Sequence, residues 1–417
     1  MSRLSRSRRG IRGFCFTVMV LACAIGFQVL VSEEAIAQPV KLGLIDMYTG
    51  PSAFIANTIK AGFEIAVEEA NATGGAAGKT LAVETADMGT STEKAVTELR
   101  RMVLQDKIPF VTIGIHSGAA VAAASLAKEM KFLLGAGFAT TKRLTGEAGS
   151  RYVCRANITT VEIGNVMAEY LRGKPEIKTV ATIAPDYEYG QHFVADFKAG
   201  LAKARPDIKV LREEWPKLGT GDMTPHVTAL QAVKPDAVVG GIFGGDLLNF
   251  FKASKDFGLD KQARFFWNAM AQASMTPFKD VVPEGTWNTL WYPFYDISNS
   301  LNTKFLQEFE KKMKTYPTDG AIVGYYAAKM IIQAMRKART TELERVIDAL
   351  GDSEFEAPTG GIKVRRCDQM AFAPVYVGSV KRDAKFRDGI GFVDIKSFPM
   401  EKMARSCEEI MKARQQK

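Results

Sequence analysis

Histidine is nearly absent, at three in 417 residues. His116, His192 and His226 stand far apart, too dispersed for a metal cluster. Cysteine is sparse as well, at five, and no CxxC or Cys/His spacing suggests zinc. No basic cluster interleaved with aromatics occurs, so the chain lacks the surface a single-strand nucleic-acid binder needs. Beyond Val31 no apolar run is long enough to be a transmembrane candidate. Two catalytic signatures are incomplete. GIHSG (114–118) sets Ser117 one place too late for a hydrolase elbow. GAGFAT (135–140) has Thr140 where a dinucleotide fingerprint needs its third glycine. GGAAG (74–78) follows a helical pattern and reads as a turn.

What is present begins with an export signal. Arg3, Arg6, Arg8, Arg9 and Arg12 precede an apolar run from Phe14 to Val31, and Ala35-Ile36-Ala37 fits the small-residue cleavage rule. Residues 1–37 are therefore read as a signal peptide cut after Ala37, giving a periplasmic protein. Ser7-Arg8-Arg9 as a twin-arginine signal, Cys23 as a lipoprotein site and an uncleaved anchor remain alternatives. The segment holds five arginines and two glutamates, so removing its +3 from the formal +9 leaves +6, a solvated basic surface. Three cysteines remain. An exported protein can form disulfides, and Cys367 with Cys407, both in the C-terminal tail, is the expected pair. Cys154 is then a lone, buried thiol.

From residue 40 onward strands and helices alternate. The apolar runs 109–115, 131–134, 179–184 and 236–243 read as strands buried on both faces. Between them, 58–70 places Ile59, Phe63, Ala66, Val67 and Ala70 on one helical face, with Glu64, Glu68 and Glu69 opposite. Such alternation means parallel sheets covered by helices. The layout also runs twice: residues 41–85 and 177–213 each read strand, aromatic-plus-glycine turn, helix, turn, strand. Two related α/β lobes follow. The aromatic stretch 286–300 suits a crossing between them, with helices at about 300–315 and 319–337 returning to the first lobe.

In open α/β sheets ligands bind beyond the carboxyl ends of strands. Four such ends carry glycines, which let backbone N–H groups face a ligand, and small hydroxyls. They are Tyr48-Thr49-Gly50, Gly114 to Gly118 with His116 and Ser117, Gly135 to Thr140 with Gly137, and Gly240 to Asp246 in the second lobe. Tyr189, beside the helix-opening Gly190, is a further candidate for the cleft lining. Trp287, Trp291, Tyr292 and Tyr295 read as packing between the lobes.

The order and spacing of KLGLIDMYTGPSA, AGFEIAVEEANATGG, GIHSGAAVAAAS, FLLGAGFATTKRLT, IAPDYEYGQHF and DAVVGGIFGGD resemble the type I periplasmic solute-binding proteins of ABC importers. The likeness is to the leucine/branched-chain amino acid branch, and RRCDQMAFAPVYVGSV (365–380) is similar to a tail motif of longer members. The resemblance implies an α/β fold of two doubly wound parallel-sheet lobes joined by a three-crossover hinge. Lobe 1 would comprise 38–156 plus about 286–362, and lobe 2 would comprise 157–285 plus about 363–417. It implies no catalysis and no cofactor. The partners would be a small apolar carboxylate, foremost a branched-chain or related amino acid, and a membrane permease. Ser117 matches the hydroxyl that receives the ligand carboxylate. Ala139 with Thr140 or Thr141 matches a segment offering backbone and hydroxyl partners. Tyr189 and Phe243 match second-lobe aromatics, and Tyr48 with Phe54 or Ile55 would pack the ligand side chain. One departure stands out: Ala269 occupies the place of the acid that usually holds the ligand ammonium. Either Asp246 or Asp186 supplies that charge, or the ligand is an amine-free aromatic or aliphatic acid, which Trp267, Phe243 and Tyr189 would suit. A ligand-sensing module for a signalling partner and a secreted hydrolase are the alternatives of other classes.

Overall fold

The computed structural model describes residues 38–50, 52–268, 270 and 275–415; the expected signal peptide, residues 1–37, and Ala269 lie outside the described residues. Strands β1 (Val40–Asp46), β2 (Leu81–Asp87), β3 (Phe110–Ile113), β4 (Leu133–Ala136) and β5 (Val153–Arg155) begin the first sheet. The second receives β6 (Thr179–Ile183), β7 (Lys209–Glu214), β8 (Ala237–Gly240), β9 (Arg264–Asn268) and β10 (Trp287–Leu290). The chain then adds β11 (Glu354–Ala357), β12 (Gly360–Arg365) and β13 (Met370–Phe372) to the first sheet, and β14 (Val375–Lys381) and β15 (Gly391–Phe398) to the second.

The sheet orders are β11-β12-β13-β5-β4-β3-β1-β2 and β15-β14-β10-β9-β8-β6-β7. All pairs among β1–β5 and among β6–β10 are parallel, whereas β11–β12, β12–β13, β10–β14 and β14–β15 are antiparallel. The repeated layout lands in equivalent places, since β1–β2 and β6–β7 end their sheets in the same sense. Every residue of β3 and β8 is buried, as helices on both faces of a parallel sheet require.

Parallel neighbours need helical crossovers. Among the helices are α1 (Ala53–Ala72), α2 (Ser117–Met130), α3 (Thr160–Arg172), α4 (Glu188–Ala204), α5 (Gly244–Phe257), α6 (Ser300–Met313), α7 (Asp319–Ala338) and, in the tail, α8 (Cys407–Gln415). Helices α6 and α7 return to pack on α1, as expected. The α1–α7 crossing is a backbone-to-backbone approach: a Cβ at Gly62 would lie 1.8 Å from Ala321 O, and one at Gly324 would lie 2.1 Å from Ile59 O. Thr58 and Thr318 hydroxyls share a 2.6 Å hydrogen bond at the same crossing, which fixes where α7 begins.

Two lobe boundaries differ from those expected. Trp287–Leu290 is a strand of the second sheet, so the second crossing follows it at 291–299 and does not fall near 286. Strands β12 and β13 belong to the first sheet, so the third crossing is at 373–374 and not near 362. The tail also leaves lobe 2. Arg405 donates to Lys142 O at 2.8 Å and Arg414 to Thr145 O at 3.1 Å, both in the first lobe. The edge strand β11 exposes every second residue, so no continuous apolar run marked it in the sequence. Cys367 and Cys407 form a disulfide, and Cys154 is a buried free thiol whose pKa burial pushes up to about 12.

Candidate functional site

The site starts at the end of β1. Asp46 is fully buried there and accepts from Met47 N at 2.8 Å and from Ile115 N at 3.0 Å, tying the end of β1 to the loop after β3. Only glycine fits beside it, since a Cβ at Gly114 would sit 1.8 Å from Asp46 Oδ2. Desolvation raises the Asp46 pKa to about 7, although the two N–H groups oppose the shift. This clamp delivers Ile115 and Ser117 to a hollow between the lobes.

Ile55, Ile115, Ser117, Phe138, Thr140, Tyr187, Tyr189, Phe243, Asn268, Trp291, Thr318, Asp319 and Gly320 line that hollow. Its cavity volume is only about 50 Å³. The hollow is a narrow slot. Eight of the lining residues sit at the N-cap or in the first turn of α1, α2, α4, α5 and α7. Five positive helix ends therefore converge on one space, and their first N–H groups lack intrahelical acceptors. Among the described residues no Lys, Arg or His lines the slot, whose polar lining comes from Ser117, Thr140, Tyr187, Tyr189, Asn268, Thr318 and Asp319.

Several expected residues meet here. Ser117 is buried, and its Oγ accepts from Thr141 N at 3.4 Å, a long bond that a ligand oxygen can share. Thr140 is buried too, with no side-chain partner among the described residues. Tyr189 receives a 3.0 Å hydrogen bond from Asn268 Nδ2, and Asn268 in turn accepts from Thr289 at 2.6 Å. Burial raises the pKa of Tyr187 and Tyr189, so both are neutral phenols. Phe243 caps α5 and faces the Tyr189 ring at 6.1 Å.

Other expected residues lie outside the lining. Phe54 is exposed and its neighbour Ile55 faces the slot, because one residue turns a helix by about 100°. Tyr48 packs against the first-lobe core instead. His116 caps α2, its Nδ1 accepting from Ala119 N at 3.1 Å, and burial lowers its pKa, so the ring is neutral. Gly137 and Ala139 give their N–H groups to Ile113 O and Gly114 O, at 2.9 and 2.8 Å, which leaves them inside the loop backbone. Asp246 accepts from Gly219 N at 2.7 Å and Gly221 N at 3.4 Å, which holds that loop, and it does not line the slot. Asp186 is exposed and bonded to Gln191. Trp267 is completely buried against Phe250 and Phe251, with its indole N–H on Ile242 O at 2.9 Å.

Sequence reasoning missed Tyr187, Asn268, Thr318 and Asp319, and assigned Trp291 to packing. Trp291 does stack on Phe138, at 4.4 Å between centroids, but it also lines the slot. Asp319 is only 2% exposed; its Oδ1 accepts from Tyr292 N at 3.0 Å and its Oδ2 has no partner among the described residues. Desolvation raises its pKa to about 7 despite the opposing Trp291 and Tyr292 N–H groups. An N-cap threonine followed by an acid was the only available signal, and it marks any helix start.

The lobes also touch beside the slot. Thr141 donates to Glu188 Oε1 at 2.7 Å, Arg143 to Glu188 Oε2 at 3.0 Å, and Lys142 to Asp196 Oδ1 at 2.5 Å. Burial alone would raise the Glu188 pKa, but bonds from His192 and Thr141 and the charge of Arg143 bring it down to about 2. A depressed carboxylate stabilises the fold above its free value of 4.5 and loses that contribution as pH falls toward about 2. Glu188→Gln is therefore expected to unfold at a lower temperature than wild type, by a constant gap above pH 4.5 that closes near pH 2. A gap that persists unchanged down to pH 2 would refute the ionised interlobe latch.

Two helix-covered α/β lobes flank a slot to which the N-terminal ends of five helices contribute residues. The chain belongs to the periplasmic binding protein family, whose model matches residues 39–385. It is similar to Leu/Ile/Val-binding protein homolog 7 of Brucella abortus (strain 2308), at 26% identity over 76% of this chain and 82% of that one. Among solved structures it resembles a solute-binding protein of an ABC transporter from Rhodopseudomonas palustris BisB5 in complex with 3,4-dihydroxybenzoic acid. The TM-score there is 0.78, with 23% identity, covering 87% of this chain and 97% of that one. It also resembles the leucine-, isoleucine-, valine-, threonine- and alanine-binding protein of Brucella ovis in its closed conformation. That match has a TM-score of 0.79 and 18% identity, covering 89% of this chain and 98% of that one.

Proposed function

We propose that this protein is an exported, non-enzymatic solute-binding protein that captures a small aromatic carboxylate and delivers it to the permease of an ABC importer. The observation that carries the reading is a narrow slot lined by five aromatic side chains, Phe138, Tyr187, Tyr189, Phe243 and Trp291, together with Ser117, Thr140 and residues from the N-terminal ends of five helices. The carboxylate sits at the start of α2, between Ser117 Oγ and Thr140 Oγ1. The ring lies among the aromatic walls. Micromolar capture needs about 8 kcal/mol, and a few charge-assisted hydrogen bonds at roughly 1.5–3 kcal/mol each plus ring burial reach it. The Rhodopseudomonas palustris relative, whose structure holds 3,4-dihydroxybenzoic acid, supports the same ligand class. The signal-like N-terminus and the disulfide support a periplasmic location after cleavage at Ala37.

An amino acid is the second reading. Asp319 favours it, because its buried Oδ2, without a partner among the described residues, offers an acceptor for an ammonium in place of the acid missing at Ala269. Thermal-shift and calorimetric screening of benzoates against leucine, valine and phenylalanine tests both. Stabilisation by benzoates supports the aromatic-acid reading; stabilisation by the amino acids alone overturns it.

A further inference from the structure

Tyr189 meets the slot from the second lobe with its hydroxyl only half used. The oxygen accepts from Asn268 Nδ2 at 3.0 Å, and among the described residues nothing accepts the Tyr189 proton. The bond is set by sheet register. Asn268 ends β9, and its parallel partner on β10 is Thr289, whose hydroxyl donates to Asn268 Oδ1 at 2.6 Å. With that oxygen engaged, the amide turns its N–H toward Tyr189. Gly241, just after β8, leaves room for the phenol, since a Cβ there would stand 3.1 Å from Tyr189 Oη and 2.8 Å from Phe193 Cδ1. Tyr189, Asn268 and Thr289 are all buried.

A hydroxyl that accepts from an N–H cannot aim its own proton at that donor. No described residue takes the Tyr189 proton, so the acceptor it can meet is a molecule in the slot that Tyr189 lines. Burial raises the pKa of the phenol and keeps that proton in place. From Thr289 to Asn268 to Tyr189 each member donates onward, and bonds in such a row polarise one another. Resting on the aromatic-carboxylate reading, we propose that Asn268 and Thr289 are positioning residues that aim the Tyr189 O–H into the slot, so that the second lobe meets the ligand with a hydrogen-bond donor. The group taken there is a carboxylate oxygen, whose lone pair completes the row. An ammonium would set a second donor against the Tyr189 proton. Neither positioning residue needs to touch the ligand for its loss to be felt, because each acts through the direction of one O–H bond.

The test is a double-mutant cycle read by calorimetric titration of the full mature chain with benzoate, leucine and phenylalanine. Tyr189→Phe is expected to weaken benzoate binding about tenfold or more, the loss of a hydrogen bond to a charged group. Asn268→Ala and Thr289→Val are each expected to weaken it about threefold or more, and Thr289→Ser, which keeps the hydroxyl, to stay within about twofold of wild type. In the Tyr189→Phe background, Asn268→Ala and Thr289→Val should each change the affinity by less than about twofold, because the bond they aim is already gone. A merely structural role would give neither that collapse nor the rescue by serine. Melting temperatures of the unliganded variants show which of them fold; if Asn268→Ala does not, the two Thr289 substitutions still close the cycle.

Benzoate binding to Tyr189→Phe within about twofold of wild type would overturn the proposal and leave the aromatic-carboxylate reading standing. A cost of Asn268→Ala or Thr289→Val that persists undiminished in the Tyr189→Phe background would do the same, since those residues would then act by another route. Wild-type protein that binds leucine or phenylalanine but no benzoate would overturn the reading and the proposal that rests on it. Binding of none of the three would overturn both as well.

Discussion

A protein carrying Ser117→Ala together with Thr140→Val is expected to bind its tightest carboxylate about a hundredfold or more weaker than wild type. Its unliganded melting temperature should stay close to the wild-type value. The two halves of this result come from the same geometry. Both hydroxyls are buried at the slot, where water cannot replace them in the bound state, so each lost donor leaves ligand charge unsatisfied. Neither hydroxyl holds the fold together: among the described residues Thr140 Oγ1 has no side-chain partner and Ser117 Oγ makes only the 3.4 Å contact from Thr141 N. Calorimetry of the two single variants and the double variant then gives their coupling. A double variant within about threefold of wild-type affinity would mean that the carboxylate lies elsewhere.

Removing the tail bridge should act on stability instead. Cys367→Ser with Cys407→Ser opens a loop with a sequence separation of 40. Loop-closure entropy puts the loss at about 4 kcal/mol at most, in the usual range of about 2–4. For a chain of this size that corresponds to a melting temperature lower by about 5 °C. The loss should begin locally. Helix α8 is pinned to the 142–149 segment by Arg414 on Thr145 O, and Arg405 on Lys142 O leads into it. Hydrogen exchange should therefore show residues 405–415 and 142–149 losing protection before the sheets do. Thr141 and Lys142, which reach across to Glu188 and Asp196, stand next to that segment, so reduction should also weaken lobe closure. An unchanged melting temperature in the double-serine protein would show that packing alone holds the tail.

The two expectations draw on different levels of the molecule. The tail pair was legible because few cysteines remain once the leader is set aside, and two of them share the C-terminal region. Ser117, Thr140 and Phe243 were legible because they stand where apolar strands stop, and in parallel α/β sheets strand ends on one side face the ligand; Tyr189 was legible beside the helix-opening Gly190. Phe54, Trp267, Asp246 and Tyr48 stand at or beside such ends too, yet none of them lines the slot.

The sequence by itself determined the alternation of strands and helices, the doubled layout, and thus that glycine-rich and hydroxyl-bearing turns gather at one edge of each sheet. Periodicity and turn chemistry are local properties, and local properties survive being read in one dimension. Tertiary structure alone decided which side chains look into the slot and where the later crossings fall. Ile55 replaces Phe54 because of one step of helical phase. Asp319 and Thr318 arrive about 200 residues after Ser117 in the chain, carried there by the contact of Gly62 and Gly324 with the backbone of the opposing helix. No local pattern encodes that meeting, because the approach of two backbones depends on the whole packing of α1 against α7.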